Sequence, residues 1–488
     1  MYYPNSTRVY SIFDRLGKGG GGKVRAVLNR LNGFAEMEGY VPVLLNLSHS
    51  VRQKINFLEL QSSGVISANV VSMTLPEACY DVAAQGDHSS FDFPPYDTMH
   101  EVDDGATYTY QGEPVMADEV AITALGSVTK RTVFRPKGDE QFTLINGRLF
   151  QKVRKWDQFR RITDYVNDVP IRWADWEGRN YIRGRNLLTG EAYKNHHDFE
   201  RSFFKLISWD NSVVFFDGVT SAYLSPATAA PRVLFLHADH RSPSGQIVPR
   251  SKFLIENFKG EAIVTSTDTH KKQIEEDVTP AAEIHVVPHF CDRSKAPSPL
   301  RRNLVTVSRL DLVGKPIDEC VKAFHEICDD FPDVDYLIYG EGSGQKRLEA
   351  LIADFGRGSR IHLMGYTTDP DRVFRGALTA VYPTLTEGFG LSILEALSAG
   401  CPVISYDVNY GPREMILRGQ NGELVAPGDI ASLADAMRKV LSDAELYQRN
   451  TDLRLDRYSR EAYLSNYQAL VEKVLKPTFL GASAGCGG

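Results

Sequence analysis

The sequence predicts an α/β protein: two doubly wound parallel-sheet domains, with an antiparallel β-rich insert in the first. Three observations carry this. Strand-like apolar runs alternate with stretches of helical period before residue 95 and again after residue 205. Between those points the period falls to two and turn pairs recur. Glycine-rich turns follow several strands, where an open α/β sheet takes its ligand. The expected division is 1–94 with 206–288 as a first Rossmann-like domain and 95–205 as the insert. A second Rossmann-like domain follows at 289–475, and 476–488 forms a tail expected to be disordered. A chain of 488 residues is also too long for one core.

In order, Val9 to Phe13 reads as a strand and runs into Lys18-Gly19-Gly20-Gly21-Gly22. A helix from Lys23 to about Glu38 then carries Val24, Val27, Leu28, Leu31 and Phe34 on one face. Val41 to Leu47 is a second strand and Gln53 to Gln61 a second helix. The glycine run is not G-x-G-x-x-G: it reads either as a flexible loop or as backbone able to approach a diphosphate. In the insert, Asn146-Gly147 between apolar flanks signals a type I′ hairpin. The same region gathers Lys152, Arg154, Lys155, Trp156, Arg160, Arg161, Arg172, Trp173, Arg183 and Arg185. Alternation makes each of these a residue of a solvated or a packed face. Their concentration marks the insert as a surface for an anionic polymer or a subunit contact, with Lys152, Arg154, Arg160 and Arg183 as acceptor-binding candidates.

The α/β pattern resumes with strands at Ser212 to Phe216 and Arg232 to Leu236, the latter ending in His237-Ala238-Asp239-His240. A histidine just past a strand's carboxyl end lines the ligand crevice of such a sheet. No third ligand of matching spacing makes the two histidines a zinc pair. Strands at Ala262 to Thr265 and His285 to Val287 complete the first domain. The second starts afresh with strand Leu304 to Val307 and the segment Ser308-Arg309-Leu310 through Lys315. Helix Pro316 to Asp329, strand Tyr336 to Tyr339, helix Gln345 to Phe355, strand Ile361 to Met364 and strand Thr379 to Tyr382 follow. Then comes Thr384-Leu-Thr-Glu387-Gly388-Phe389-Gly390-Leu391-Ser392, opening a helix that contains Glu395. A strand-to-helix turn of this kind aims backbone N–H groups at an anion. Two acids beside it suit a ligand with both phosphate and hydroxyl groups, which points to a sugar nucleotide. Helices from Ile430 to Leu441 and Arg460 to Val474 close the chain.

Composition excludes several classes. With 42% hydrophobic and 24% charged residues the chain is that of a soluble globular protein. A formal net charge of −7 argues against a dedicated nucleic-acid binder. The six cysteines form no C-x-x-C pair, which fits a reduced cytoplasmic setting. Met1 to Asn5 opens no signal peptide and no apolar run is long enough to span a bilayer, so work at the inner membrane face is the expected limit.

Glu387 with Glu395, Ser308-Arg309-Leu310 with Lys315, and Tyr339-Gly340-Glu341-Gly342 resemble the motifs of GT-B-fold retaining glycosyltransferases of the family-4 type, over roughly residues 205 to 475. A narrower resemblance is to wall teichoic acid poly(polyol-phosphate) α-glycosyltransferases and to serine-rich-adhesin O-GlcNAc transferases. It rests on Tyr366-Thr367-Thr368, Asp407 to Pro412, His237 to His240 and Phe253 to Asn257. The resemblance implies two facing Rossmann-like domains and transfer, with retention, of GlcNAc or glucose from a UDP-sugar. The acceptor would be a hydroxyl of a polyol-phosphate polymer or of a serine-rich protein. It implies catalytic roles for His237, Arg309, Lys315 and Glu387: the two cations on the diphosphate, Glu387 on the donor sugar and His237 at the reacting face. It implies donor contacts from Gly19, Gly20, Tyr366, Phe389, Gly390, Leu391, Ser392 and Glu395, and no cofactor or metal. It also implies a homo-oligomer, a trimer held through the insert. In that family the lysine follows the arginine by five residues; Lys315 follows Arg309 by six.

Two rival readings come from other classes. A non-catalytic chaperone subunit on the same fold would be expected to lose part of the cluster, yet Arg309 and both glutamates are present. A nucleotide-dependent oxidoreductase would carry G-x-G-x-x-G with an acid about 20 residues later, and that pattern is missing.

Overall fold

The structure is a computed structural model that describes residues 6–13, 22–79, 98–102, 104–135, 138–218, 220–242, 244–293 and 301–476. It divides into two compact units, Met1–Leu234 and Phe235–Gly488.

In the first unit, strand Thr7–Phe13 lies between Tyr40–Asn46 and Ser212–Asp217, with Val71–Thr74 beyond Tyr40–Asn46, all parallel. Thr7–Phe13, Tyr40–Asn46 and Ser212–Asp217 are buried on both faces along most of their length, so their sequences are nearly continuous apolar runs rather than alternating ones. Helix Gly22–Glu36 turns Val27, Leu28 and Leu31 into a core with Phe13, Leu44 and Phe57. The insert is a ten-stranded antiparallel meander from Thr98–Val102 to Ala192–Tyr193, each strand pairing with the next in sequence. Its own core gathers Tyr108, Met116, Val133, Phe142, Leu149 and Tyr165. Asn146 and Gly147 have φ of 50° and 78°, the two left-handed positions that a type I′ turn requires. The period-two reading ran too far: His196–Phe204 is a helix, capped by the Asn195 side chain on the N–H groups of His197 and Asp198.

In the second unit, Ala262–Thr265 pairs in parallel with Ile284–Val286, and Leu236 N–H donates to Val264 O at 2.9 Å. Six parallel strands follow, ordered Ile361–Gly365, Tyr336–Tyr339, Asn303–Val307, Ala377–Tyr382, Val403–Tyr406, Gly422–Val425. In chain order this is 3-2-1-4-5-6, the doubly wound arrangement. The order reverses between Asn303–Val307 and Ala377–Tyr382, which pair directly. Helix Ile317–Ile327 and helix Ile430–Ser442 pack their apolar stripes on this sheet.

Candidate functional site

The reversal point selects the loops after its two strands, Ser308 to Lys315 and Pro383 to Gly390, because ligands of open α/β sheets sit there. The structure joins these loops. Leu385 N–H donates to Gly314 O at 3.1 Å, and Lys315 Nζ lies 3.3 Å from Thr384 Oγ1 and 3.1 Å from Glu387 Oε2. The sequence reading gave Lys315 to a diphosphate and Glu387 to a sugar; here the two form an ion pair, each about one quarter exposed. Arg309 is exposed and makes no side-chain hydrogen bond or ion pair among the described residues.

The glycines of Gly340-Glu341-Gly342 acquire a reason. A Cβ on Gly340 would stand 1.8 Å from Ser308 O, and one on Gly342 2.6 Å from Leu310 O. Leu310 N–H donates to Glu341 O at 3.0 Å, so the Arg309 loop lies directly on this turn. Gly340 N–H in turn donates to Gly365 O at 2.8 Å, and Tyr366, next in the chain, is exposed.

Gly390, at φ +91°, begins helix Leu391–Ser398, and its carbonyl accepts from the N–H groups of Ile393 and Leu394. The N–H groups of Leu391 and Ser392 are left without an acceptor inside the helix and suit an anion. Phe389 is buried, edge-on to His289 at 4.9 Å and Tyr458 at 5.6 Å, so only its backbone is available to a ligand. Glu395 is half-buried on the same helix. Its charge adds to the burial that pushes the Cys291 thiol up to about 12.

His237 follows strand Arg232–Phe235, half-buried, with its ring stacked on Phe235 at 4.3 Å. A Cβ on Gly388 would meet His237 O at 2.4 Å, so the Glu387 turn rests on the His237 backbone. His237, Lys315, Glu387 and the helix start at Gly390 are thus brought together. Gly19 and Gly20 lie outside the described residues.

Residues to which the sequence assigned no role hold this arrangement. Tyr410 is fully buried; its N–H donates to Glu387 O at 3.0 Å and its hydroxyl to Asp239 Oδ1 at 2.7 Å. Burial beside Asp239 pushes the phenol pKa up, so the hydroxyl keeps its proton. Its ring stacks on His270 at 4.3 Å. Asp239, His240 and His270 bring one carboxylate oxygen and two ring nitrogens within 4.8 Å, close enough to hold a metal ion. Their atoms also close on one another. His240 Nε2 lies 2.7 Å from Asp277 Oδ2, and His240 Nδ1 lies 3.2 Å from His270 Nε2. A proton on each Nε2 satisfies both contacts. Asp239 Oδ1 already accepts from Tyr410 and from Arg241 N–H at 2.8 Å. Arg241, with His240, holds Asp277 down at about 2, while burial, with His240 adding, lowers His270 to about 3. Only the histidine doublet was visible in sequence; its partners at 270, 277 and 410 are tertiary.

In the insert, strand register puts Arg154 opposite Arg161, Arg161 opposite Asp175, and Asp175 opposite Arg183. Lys152 is two residues from Arg154 and shares that face, whereas Arg160, next to Arg161, is on the other. The four acceptor candidates are therefore not one surface. Asp175 takes both Arg161 and Arg183, at 2.7 and 2.9 Å, and Glu140 takes Lys152 at 2.8 Å. Arg154 is exposed, without an ion pair among the described residues. It lines a cavity of about 460 Å³ with Glu140, Lys152, Trp156, Arg161, Thr163 and Tyr165.

Residues 292–459 match the family model described as glycosyl transferases group 1. The chain is 30% identical over 197 residues to a poly(glycerol-phosphate) alpha-glucosyltransferase of Bacillus subtilis, covering 39% of this chain and 29% of that protein. It is 25% identical over 244 residues to a poly(ribitol-phosphate) alpha-N-acetylglucosaminyltransferase of Staphylococcus aureus, covering 47% and 48%. The matched stretches thus span half or less of these relatives' lengths. A crystal structure of a mutant of S. aureus TarM in complex with Fondaparinux, alpha-GlcNAc-glycerol and UDP is similar with a TM-score of 0.77 at 19% identity, covering 95% of this chain and 99% of that one. That similarity establishes the GT-B fold.

Proposed function

We propose that this chain, which carries a group 1 glycosyl transferase domain in a GT-B fold, is a retaining glycosyltransferase. It moves GlcNAc or glucose from a UDP-sugar to a hydroxyl of a polyol-phosphate polymer. The observation that carries the reading is the sheet-reversal crevice, where Lys315 and Glu387 pair at 3.1 Å three residues before the helix start at Gly390. Arg309 and Lys315, with the N–H groups of Leu391 and Ser392, take the charge of the departing diphosphate without needing a metal or cofactor. Glu387 orients the donor sugar's hydroxyls, Glu395 the ribose, and backbone near Tyr366 the uracil. His237 lies at the reacting face, and Gly19 and Gly20 approach the diphosphate. The C1–O bond to phosphate breaks as the acceptor oxygen closes on the same face, and the leaving phosphate takes the acceptor's proton. Glu387 is then a positioning group and not the nucleophile of a glycosidase pair, since Glu395 has a partner of its own.

The acceptor assignment rests on the two relatives, whose names specify poly(glycerol-phosphate) and poly(ribitol-phosphate). Arg154 and the face it shares with Lys152 and Arg183 would meet such phosphates locally and salt-dependently, since the chain's net charge is −7. The same reading divides the chain at residue 288 into acceptor and donor domains and makes it a cytoplasmic homo-oligomer at the inner membrane face. Among the described residues no helix is long and apolar enough to cross a membrane.

Glu387→Gln keeps an oxygen for Lys315 and removes the charge. Transfer should fall by about 100-fold or more while UDP affinity stays within about threefold. Loss of UDP binding along with transfer would remove the proposed role. A UDP-release screen of UDP-GlcNAc and UDP-glucose against ribitol-phosphate polymer, glycerol-phosphate polymer and serine-rich peptide tests the whole reading. Silence in every pairing would favour the non-catalytic subunit.

A further inference from the structure

We infer that Tyr410 is a positioning residue for the transfer, holding the His237 loop and the Glu387 turn in one register. The inference rests on the glycosyltransferase reading for what those two segments do, and on geometry alone for their coupling.

Three segments distant in sequence meet here: 237–241, 387–390 and 409–411. Two glycines mark how closely they pack. A Cβ on Gly388 would stand 2.4 Å from His237 O, and one on Gly411 only 1.5 Å from Phe389 O. Backbone thus touches backbone on both sides of the Glu387 turn, which leaves no room for side chains to set its position. The polar anchor is Tyr410. Its own N–H holds the turn through Glu387 O, and its hydroxyl holds the histidine loop through Asp239 Oδ1.

Tyr410 is itself fixed. Its ring lies flat on His270, which is tied through His240 to Asp277, and Arg241 clamps Asp277 from the other side. Helix Asp268–Asp277, which carries both His270 and Asp277, is bound to the segment after Tyr410: Thr269 N–H and Oγ1 both donate to Glu414 Oε1, at 2.8 and 2.6 Å. Tilting or swinging the Tyr410 ring out of its plane would break the stack on His270 or the bond to Asp239. A rigid residue that bonds both sides of a reacting centre sets the distance between them, and sub-ångström errors there act on kcat before they act on binding.

Tyr410→Phe keeps the stacked ring and the N–H and removes only the bond to Asp239. We expect kcat to fall at least about tenfold, with KM for the UDP-sugar and the Kd of UDP within about threefold. Amide exchange at 236–241 and 387–390 should quicken together, with the six-stranded sheet unchanged. Asp239→Ala should reproduce both effects, and the double variant should be no worse than the poorer single one. Unchanged kcat in Tyr410→Phe, exchange that moves in one segment alone, or additive losses in the double variant would each overturn the inference. If the wild type transfers no sugar, the glycosyltransferase reading fails by itself. The exchange experiment and an exchange-based double-variant cycle still decide whether Tyr410 couples the two segments.

Discussion

At the scale of single residues, the pair Arg30 and Asp217 places two charges in the first unit's interior. Their side chains are 1% and 0% exposed. Arg30 NH1 donates to Asp217 Oδ1 at 3.1 Å, NH2 donates to Ser11 Oγ at 2.9 Å, and the guanidinium lies 4.5 Å from the Phe215 ring centre. Removing one partner of such a pair leaves a charge in a low dielectric. Arg30→Met should therefore lose about 3–5 kcal/mol, and adding Asp217→Asn should restore part of it. Urea unfolding of the two variants measures this; a loss below about 1 kcal/mol in the single variant would contradict it. Neither residue stood out in the sequence, where Arg30 is one of many helix cations. Glu387, Arg309 and Lys315 did stand out, because their chemistry is written in short motifs after strands. Tyr410 entered only within the Asp407 to Pro412 segment, without a role, and Asp277 and His270 not at all, because their partners at 239 and 240 lie 30 or more positions away and no local pattern encodes that.

At the scale of elements, strands and helices were legible wherever burial imposed a period. Ala262–Thr265, Tyr336–Tyr339 and the helix beginning at Gln345 fall where apolar spacing puts them. The order 3-2-1-4-5-6 was not legible, because pairing between strands remote in sequence leaves no trace in either one. Glycines were readable as turns but not in purpose: Gly340, Gly388 and Gly411 serve close backbone approach between segments. The insert shows the opposite balance, since a meander pairs only neighbours and its turns set its register. Asn146-Gly147 is the clearest turn, and Asn146 also ties it to the adjacent hairpin. Its Oδ1 accepts from Ser127 N–H at 3.0 Å and its Nδ2 donates to Leu125 O at 3.0 Å. Replacing both residues with alanine imposes left-handed backbone at about 1–2 kcal/mol per residue and removes both bonds. Amide exchange should quicken at 123–128 and 140–156 and stay unchanged in the parallel strands of the first unit. Uniform quickening would show that the insert does not open on its own.

Across the whole molecule, acid stability draws on four histidines among the described residues whose pKa the fold lowers, His285 among them through burial. His49 is lowered by burial, with Nε2 near Phe150 O and Tyr165 O at 3.2 and 3.1 Å and its ring stacked on Phe150 at 3.8 Å. His196, packed edge-on to Trp176 and Tyr181, is lowered to about 4 by burial and then by Arg172. His270 is lowered to about 3. In the unfolded chain each takes up its proton near pH 6.5, and in the fold at lower pH, near 4 for His196 and near 3 for His270. Between those values the unfolded state binds more protons, so stability falls as pH falls. The lowered carboxylates Asp277, Asp175 and Glu77 act in another window. Their contribution is full above about pH 5.5 and is lost as pH falls through their unfolded values near 4 to 4.5, so the range from about 6.5 to 5.5 belongs to the histidines. Fully buried His270 alone should cost about 2 kcal/mol at pH 5. Urea midpoints should be level above pH 7 and drop steadily from about pH 6.5 to 5; a level profile through pH 5 would mean that these rings protonate inside the fold. Because His270 is the surface on which Tyr410 stacks, the same protonation acts on the His237 and Glu387 segments directly. Activity should therefore fall with acid at or before the loss of global structure, and the two curves measured together separate that local failure from simple unfolding.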